Sequence, residues 1–261
     1  MSRVWGGRLA IFMAPTLVAL NLIAFSVPVQ ARDATPLVLA RGARIGVISL
    51  LDAEVTHYHS AKALKDTALH TEPVQWSVPT MLIEALRDRV AQMGLVIVPL
   101  EVTDELDRAR ESCFLNGNFN KGLPKDCVAA FEHLGAAERV DAVIALAPGL
   151  NNSTHATGST RHKEMPEYVR GWAVETGDTD SPNGKPMLIN MTELLLVAPS
   201  ADGPVLRGRE WGGNYTLEWS NYVPPAEPKE LPAQSYAQLQ PLFASILGRQ
   251  AARLMEQIEV H

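Results

Sequence analysis

The chain has 261 residues, 46% of them hydrophobic, and carries 23 Lys and Arg against 29 Asp and Glu for a formal charge of −6. An acidic balance with no basic run argues against nucleic acid or anionic lipid as a partner. The apolar fraction is enough for a substantial core, and the length suits one large domain or two small ones.

The first 31 residues are read as an export signal. Arg3 and Arg8 give a positive start, and Leu9 to Val29 is apolar apart from Thr16, Asn21 and Ser26. Val29-Gln30-Ala31 then offers the small–x–small pattern that a signal peptidase cuts, ahead of Arg32-Asp33. The expectation is an exported protein, periplasmic in the first instance, with secretion or retention by an uncleaved N-terminal anchor as alternatives. Pro15, Asn21 and Pro28 interrupt the run and favour cleavage. The first cysteine is Cys113, so nothing near the signal can carry lipid. Losing residues 1–31 removes two arginines and no acid, which leaves 21 basic against 29 acidic side chains, a charge of −8. No later apolar run reaches membrane length, so no span is expected in the mature chain.

Residues 32–261 are read as one α/β domain. The runs 45–51, 95–98 and 142–146 are short and almost continuously apolar, which is how strands buried on both faces of a parallel sheet read. Between the first two, Ser77 can cap a helix with Pro79 in its first turn. Met81, Leu82, Leu86 and Val90 mark its apolar face and Gly94 ends it. A short charged helix follows Thr103, with Asp104 and Glu105 at its positive end. Another helix starts at Asp126, carries Val128, Phe131 and Leu134, and stops at Gly135. The order β-α-β-α-β predicts a parallel core over residues 43–147. Cys113 and Cys127 enclose a stretch rich in Asn, Gly and Lys, and in an oxidising compartment they are expected to form a disulfide.

Beyond residue 147 the character changes. Tyr168 to Glu175, Met187 to Ala198 and Val205 to Trp211 read as strands separated by turn-forming residues, hence an antiparallel meander over 167–220 on one edge of the sheet. Residues 223–233 hold four prolines and form a stiff connector. A last helix over 235–258 keeps Leu239, Leu242, Phe243, Ile246, Leu247, Leu254 and Ile258 at helical spacing and packs on the sheet. The predicted fold is therefore three-layered α/β: a parallel core, an antiparallel extension and a C-terminal helix.

The segment RIGVISLLDAEVTHYH, Arg44 to His59, resembles the start of uncharacterised exported bacterial proteins; no activity follows from that likeness. The layout also resembles small periplasmic α/β domains of envelope assembly proteins, an analogy of fold alone.

Several chemistries are missing. Gly177 to Lys185 has the wrong glycine spacing for a phosphate loop, and Pro186 stands where Ser or Thr should bind magnesium. No glycine cradle for a dinucleotide follows the first strand, and there is no G-x-S-x-G or H-E-x-x-H. Asp178 to Gly184 approaches a calcium loop, but Pro182 takes a ligand position and no glutamate closes it at Ile189. His57 and His59 would share one face of a strand and could grip a metal, with His70 as a third ligand if the chain doubles back; the alternative is a solvated edge segment. The aromatics Tyr168, Trp172, Trp211, Trp219 and Tyr222 suit either a sugar-binding surface or, in preference, core packing. In open α/β sheets ligands bind beyond the carboxyl ends of the strands. That reasoning selects Asp52 and Glu54 after the first strand, and Asn151, Asn152 and His155 after the third, as candidate ligand contacts. The expectation is a non-enzymatic envelope module that binds a partner protein or a small ligand, with no cofactor. The alternative is a metal-assisted hydrolase using His57 and His59, with zinc as the metal.

Overall fold

The computed structural model describes residues 36–60, 68–110, 113, 122–149, 171–177, 186–212, 217–219, 222–223 and 231–261. By its contacts the chain divides into Met1–Asp33 and Ala34–His261, and all described residues belong to the second unit. The segment read as a signal lies outside them. In chain order the elements are β1 (Leu37–Leu39), β2 (Arg44–Ser49), β3 (Glu54–Ser60), β4 (Ala68–Pro73), α1 (Val78–Gln92), β5 (Val96–Pro99), α2 (Asp104–Arg108), α3 (Lys125–Glu138), β6 (Ala142–Pro148), β7 (Gly171–Gly177), β8 (Met187–Ala198), β9 (Val205–Trp211), β10 (Leu217–Glu218), α4 (Ala233–Met255) and β11 (Ile258–Val260). Among the described residues no helix is long and apolar enough to cross a membrane.

The three apolar runs become β2, β5 and β6, and β2 pairs in parallel with both of the others. The sheet as a whole departs from the expected parallel core with an antiparallel extension. It is mixed, and five of its eight described pairings are antiparallel. The reason is β8. Its sequence MLINMTELLLVA is buried from Leu188 to Ala198. It pairs antiparallel with β7 and β10 along its first half and with β6 and β9 along its second. An apolar run reports that both faces are covered; it does not report the direction of the neighbours.

A second departure is the hairpin of β3 and β4, which pair antiparallel while β3 lies parallel to β7. The sequence of β4, ALHTEP, is too polar to be expected as a strand. It stands at the end of the strand order, where one face and one edge can stay wet.

Alternation along the strands sends side chains to separate cores, two large ones and a small cluster of Tyr58, Ala173, Ile189 and Met191. Ile45 and Val47 of β2, Ile144 and Leu146 of β6, and Leu194 and Leu196 of β8 pack with Leu82 and Leu86 of α1 and Phe243 and Leu247 of α4. Ile48, Val143, Ala145, Leu195 and Val197 pack on the other side with Leu106 of α2 and Phe131 and Leu134 of α3.

The helices start where their caps dictate. Ser77 Oγ accepts the Thr80 N–H at 3.3 Å, and Thr103 Oγ1 accepts the Leu106 N–H at 3.2 Å. Gly94 follows α1 with φ +70°, a left-handed conformation that favours glycine. Gly135 does not stop α3, which runs on to Glu138 and ends at left-handed Arg139. The last helix ends at Met255 rather than 258. Ile258 belongs to β11, which pairs in parallel with β1 and joins the two ends of the described chain in a separate two-stranded sheet.

Cys113 and Cys127 are bonded, with Cα atoms 5.2 Å apart, and both are fully buried beside Phe131 in the α3 core. Intact mass before and after reduction with alkylation should show two thiols gained. Replacing both cysteines by alanine should cost up to about 3 kcal/mol in urea unfolding. Far-UV dichroism should be retained, because no described residue of the bonded loop belongs to the sheet.

Candidate functional site

Four residues separate β2 from β3, and Asp52 lies among them. Arg110 Nη2 is 2.8 Å from an Asp52 carboxylate oxygen and donates to the Leu50 carbonyl at 2.6 Å, so one cation anchors this turn. Glu54 stands beside the pair. Burial raises its carboxyl above the usual range, Asp52 adds to the rise, and Arg110 opposes it. Asn151, Asn152 and His155, expected opposite these acids, lie outside the described residues. The chain past β2 continues directly into β3, which pairs on with β7, so the sheet does not end at Ser49.

His57 and His59 occupy the face of β3 that looks toward α4, as period-2 geometry predicts. They are 1% and 3% exposed, so the solvated alternative does not hold. Both imidazoles meet one hydroxyl: His57 Nε2 is 2.7 Å and His59 Nδ1 2.9 Å from Thr176 Oγ1 on β7. The chain does double back, and His70 on β4 is the cross-strand partner of His57. The His70 side chain, however, is hydrogen-bonded to Glu72 Oε1. Among the described residues no three His, Cys, Asp or Glu side chains are grouped to hold a metal. A hydroxyl between two imidazoles has the parts of a nucleophile and base, but at this depth a substrate carbonyl has no approach.

A different feature draws polar groups to one place. Between the end of β4, the start of α1 and the first turns of α4 lies a cavity of about 480 Å³. Glu72, Val74, Trp76, Leu231, Tyr236 and Gln240 are in its wall. Trp76 and Tyr236 are 8% and 7% exposed. The indole Nε1 of Trp76 and the hydroxyl of Tyr236 are buried, and neither has a hydrogen-bond partner among the described residues. Burial, and secondarily the Glu72 carboxylate, push the Tyr236 hydroxyl up to about 12. Two buried polar atoms left unpaired cost about 1–3 kcal/mol each, and native proteins tolerate few of them.

Sequence reasoning missed both residues. Trp76 precedes the α1 cap and lies outside the aromatic-rich half, and Tyr236 sits on the stripe of α4 as a core residue would. Of the aromatics singled out from sequence, Trp172 and Trp219 are buried. Trp172 stacks on Phe243 at 4.9 Å. Trp211 is 39% exposed, and Tyr168 lies outside the described residues. No protein-family model matches the chain, and comparisons with curated proteins and with solved structures found no match.

Thr176→Val keeps the shape of the side chain and removes the hydroxyl shared by two buried imidazoles. It should destabilise by about 1–3 kcal/mol in urea unfolding. An unchanged midpoint would show that the hydroxyl does not satisfy them.

Glu54 gives a pH signature. A carboxyl raised in the folded state holds its proton to higher pH than the unfolded chain does. Stability therefore falls as pH climbs from the ordinary carboxylate value through the raised one. Glu54→Gln should melt above wild type at neutral pH, and the two should converge below the carboxylate range. A lower melting temperature at neutral pH would mean that pairing with Arg110 outweighs burial.

Proposed function

We propose that this chain is an exported, non-enzymatic module of the cell envelope that binds a small ligand or partner, and that the cavity between β4, α1 and α4 is its binding site. The observation that carries this reading is that two residues lining one pocket, Trp76 and Tyr236, each hold a buried polar atom, Nε1 and Oη, with no partner among the described residues. Ligand sites are concave and mostly apolar, with a few polar groups that fix orientation, and about 300–1,000 Å³ is their usual range. The wall here has that make-up. Export is supported by the basic and apolar N-terminal sequence and by the disulfide, a bond that persists in oxidising compartments. A non-enzymatic role is supported by the enclosure of the His57–Thr176–His59 group and by the engagement of Asp52 with Arg110.

The test is a ligand-observed NMR screen of small neutral, cationic and anionic compounds against wild type and Ala237→Trp. Ala237 is an exposed residue of α4 that lines the cavity, so an indole there fills the pocket without entering the core. Compounds that bind wild type should lose their signal with Ala237→Trp at an unchanged melting temperature. Hits that bind both proteins equally would place binding elsewhere.

A further inference from the structure

We infer that the cavity takes a neutral, polyhydroxylated ligand: one or two sugar rings. The inference rests on the reading of the cavity as a binding site and adds the chemistry of the occupant.

Charge excludes one class. Among the described residues no Lys or Arg lines the pocket, and the ionisable ones that do are Glu72 and Tyr236. The chain as a whole is net acidic. A phosphate or carboxylate entering here would be desolvated beside a carboxylate with no cation to meet it. Hydrogen-bonding capacity narrows the rest. The Trp76 indole can only donate, the Tyr236 hydroxyl can donate or accept, and a carboxylate can only accept. Glu72 has one oxygen engaged by His70, and Gln75 and Gln240 add amide groups at the rim. A simple ammonium ion would satisfy Glu72 but leave the indole N–H unmet. A purely apolar ligand would satisfy neither. A hydroxyl both donates and accepts, so a ring carrying several of them can answer the indole, the phenol and the carboxylate together.

The remaining wall fits the rest of such a ring. Pro73, Val74 and Leu231, with the two aromatic side chains, offer apolar surface to C–H groups. Neither polar atom is in contact with solvent, so the ligand must draw the polar end of each aromatic side chain into the cavity.

The experiment uses the mature chain and probes of stated class: glucose, N-acetylglucosamine, cellobiose and diacetylchitobiose as saccharides, with butylamine and acetate as ionic controls. Binding is followed by titration calorimetry and by tryptophan fluorescence. At least one saccharide should bind, and Tyr236→Phe should weaken it about tenfold, the weight of one hydrogen bond. The same variant should raise the melting temperature of the free protein, because it removes an unpaired buried hydroxyl. A merely structural tyrosine would not give that opposition of affinity and stability. If butylamine or acetate binds and is lost with Ala237→Trp while no saccharide binds, the ligand class is wrong and the binding site stands. A saccharide that binds Tyr236→Phe and Ala237→Trp as well as wild type overturns the assignment to this cavity. If no probe binds and the Ala237→Trp screen loses no compound, both readings fall.

Discussion

Strand β8 is the element on which the rest of the structure depends. Eleven of its twelve residues are buried, and four other strands hydrogen-bond to it. A strand covered in this way has every polar side chain at stake, because a buried polar group without a partner costs more than a hydrogen bond returns. Three polar residues lie within it, and each is answered. Glu193 receives two hydrogen bonds from the Arg209 guanidinium on β9, at 2.7 and 2.6 Å. Thr192 donates to Asn190 Oδ1 at 2.8 Å, and the fully buried Gln250 of α4 meets both of them.

Gln250 also ties the helix to β9, donating to the Glu210 carbonyl at 2.7 Å. The Glu210 carboxylate in turn meets Arg253 and Gln257. The position of α4 is thus set by apolar burial along its stripe and by polar register at one point. The closeness needed there explains Gly212, since a Cβ at that position would collide with the Asn190 side chain. A helix held this firmly at its C-terminal half leaves its first turns over the β4 end of the sheet, where Tyr236 meets Trp76 across the cavity.

The contrast between the two regions is physical. The polar side chains of β8 itself are paired, although the indole nitrogen of Trp172 on neighbouring β7 has no partner among the described residues. At Tyr236 and Trp76 two buried polar atoms are without one. A phenylalanine at position 236 would remove that unpaired hydroxyl without breaking a hydrogen bond among the described residues. His57 and His59 share one hydroxyl buried among strands, while His70 and Glu72 are at the wet edge nearer the cavity.

The apolar runs of β2, β5, β6 and β8, the caps at Ser77 and Thr103, the stripe of α4 and the pairing of two cysteines were all legible in the sequence, because each is local or is a matter of burial. The face shared by His57 and His59 was legible for the same reason. Strand direction was not, since a run covered on both faces reads alike in parallel and antiparallel sheets. Strand β4 was not either, because its apolar neighbours lie on another strand and its own residues are polar. The exchange of the last helical turn for β11 depends on β1, more than two hundred residues away in the chain. The cavity is the extreme case. Trp76, Glu72 and Tyr236 carry no common motif, and only the crossing of α4 over the end of β4 brings an indole, a carboxylate and a phenol around one space.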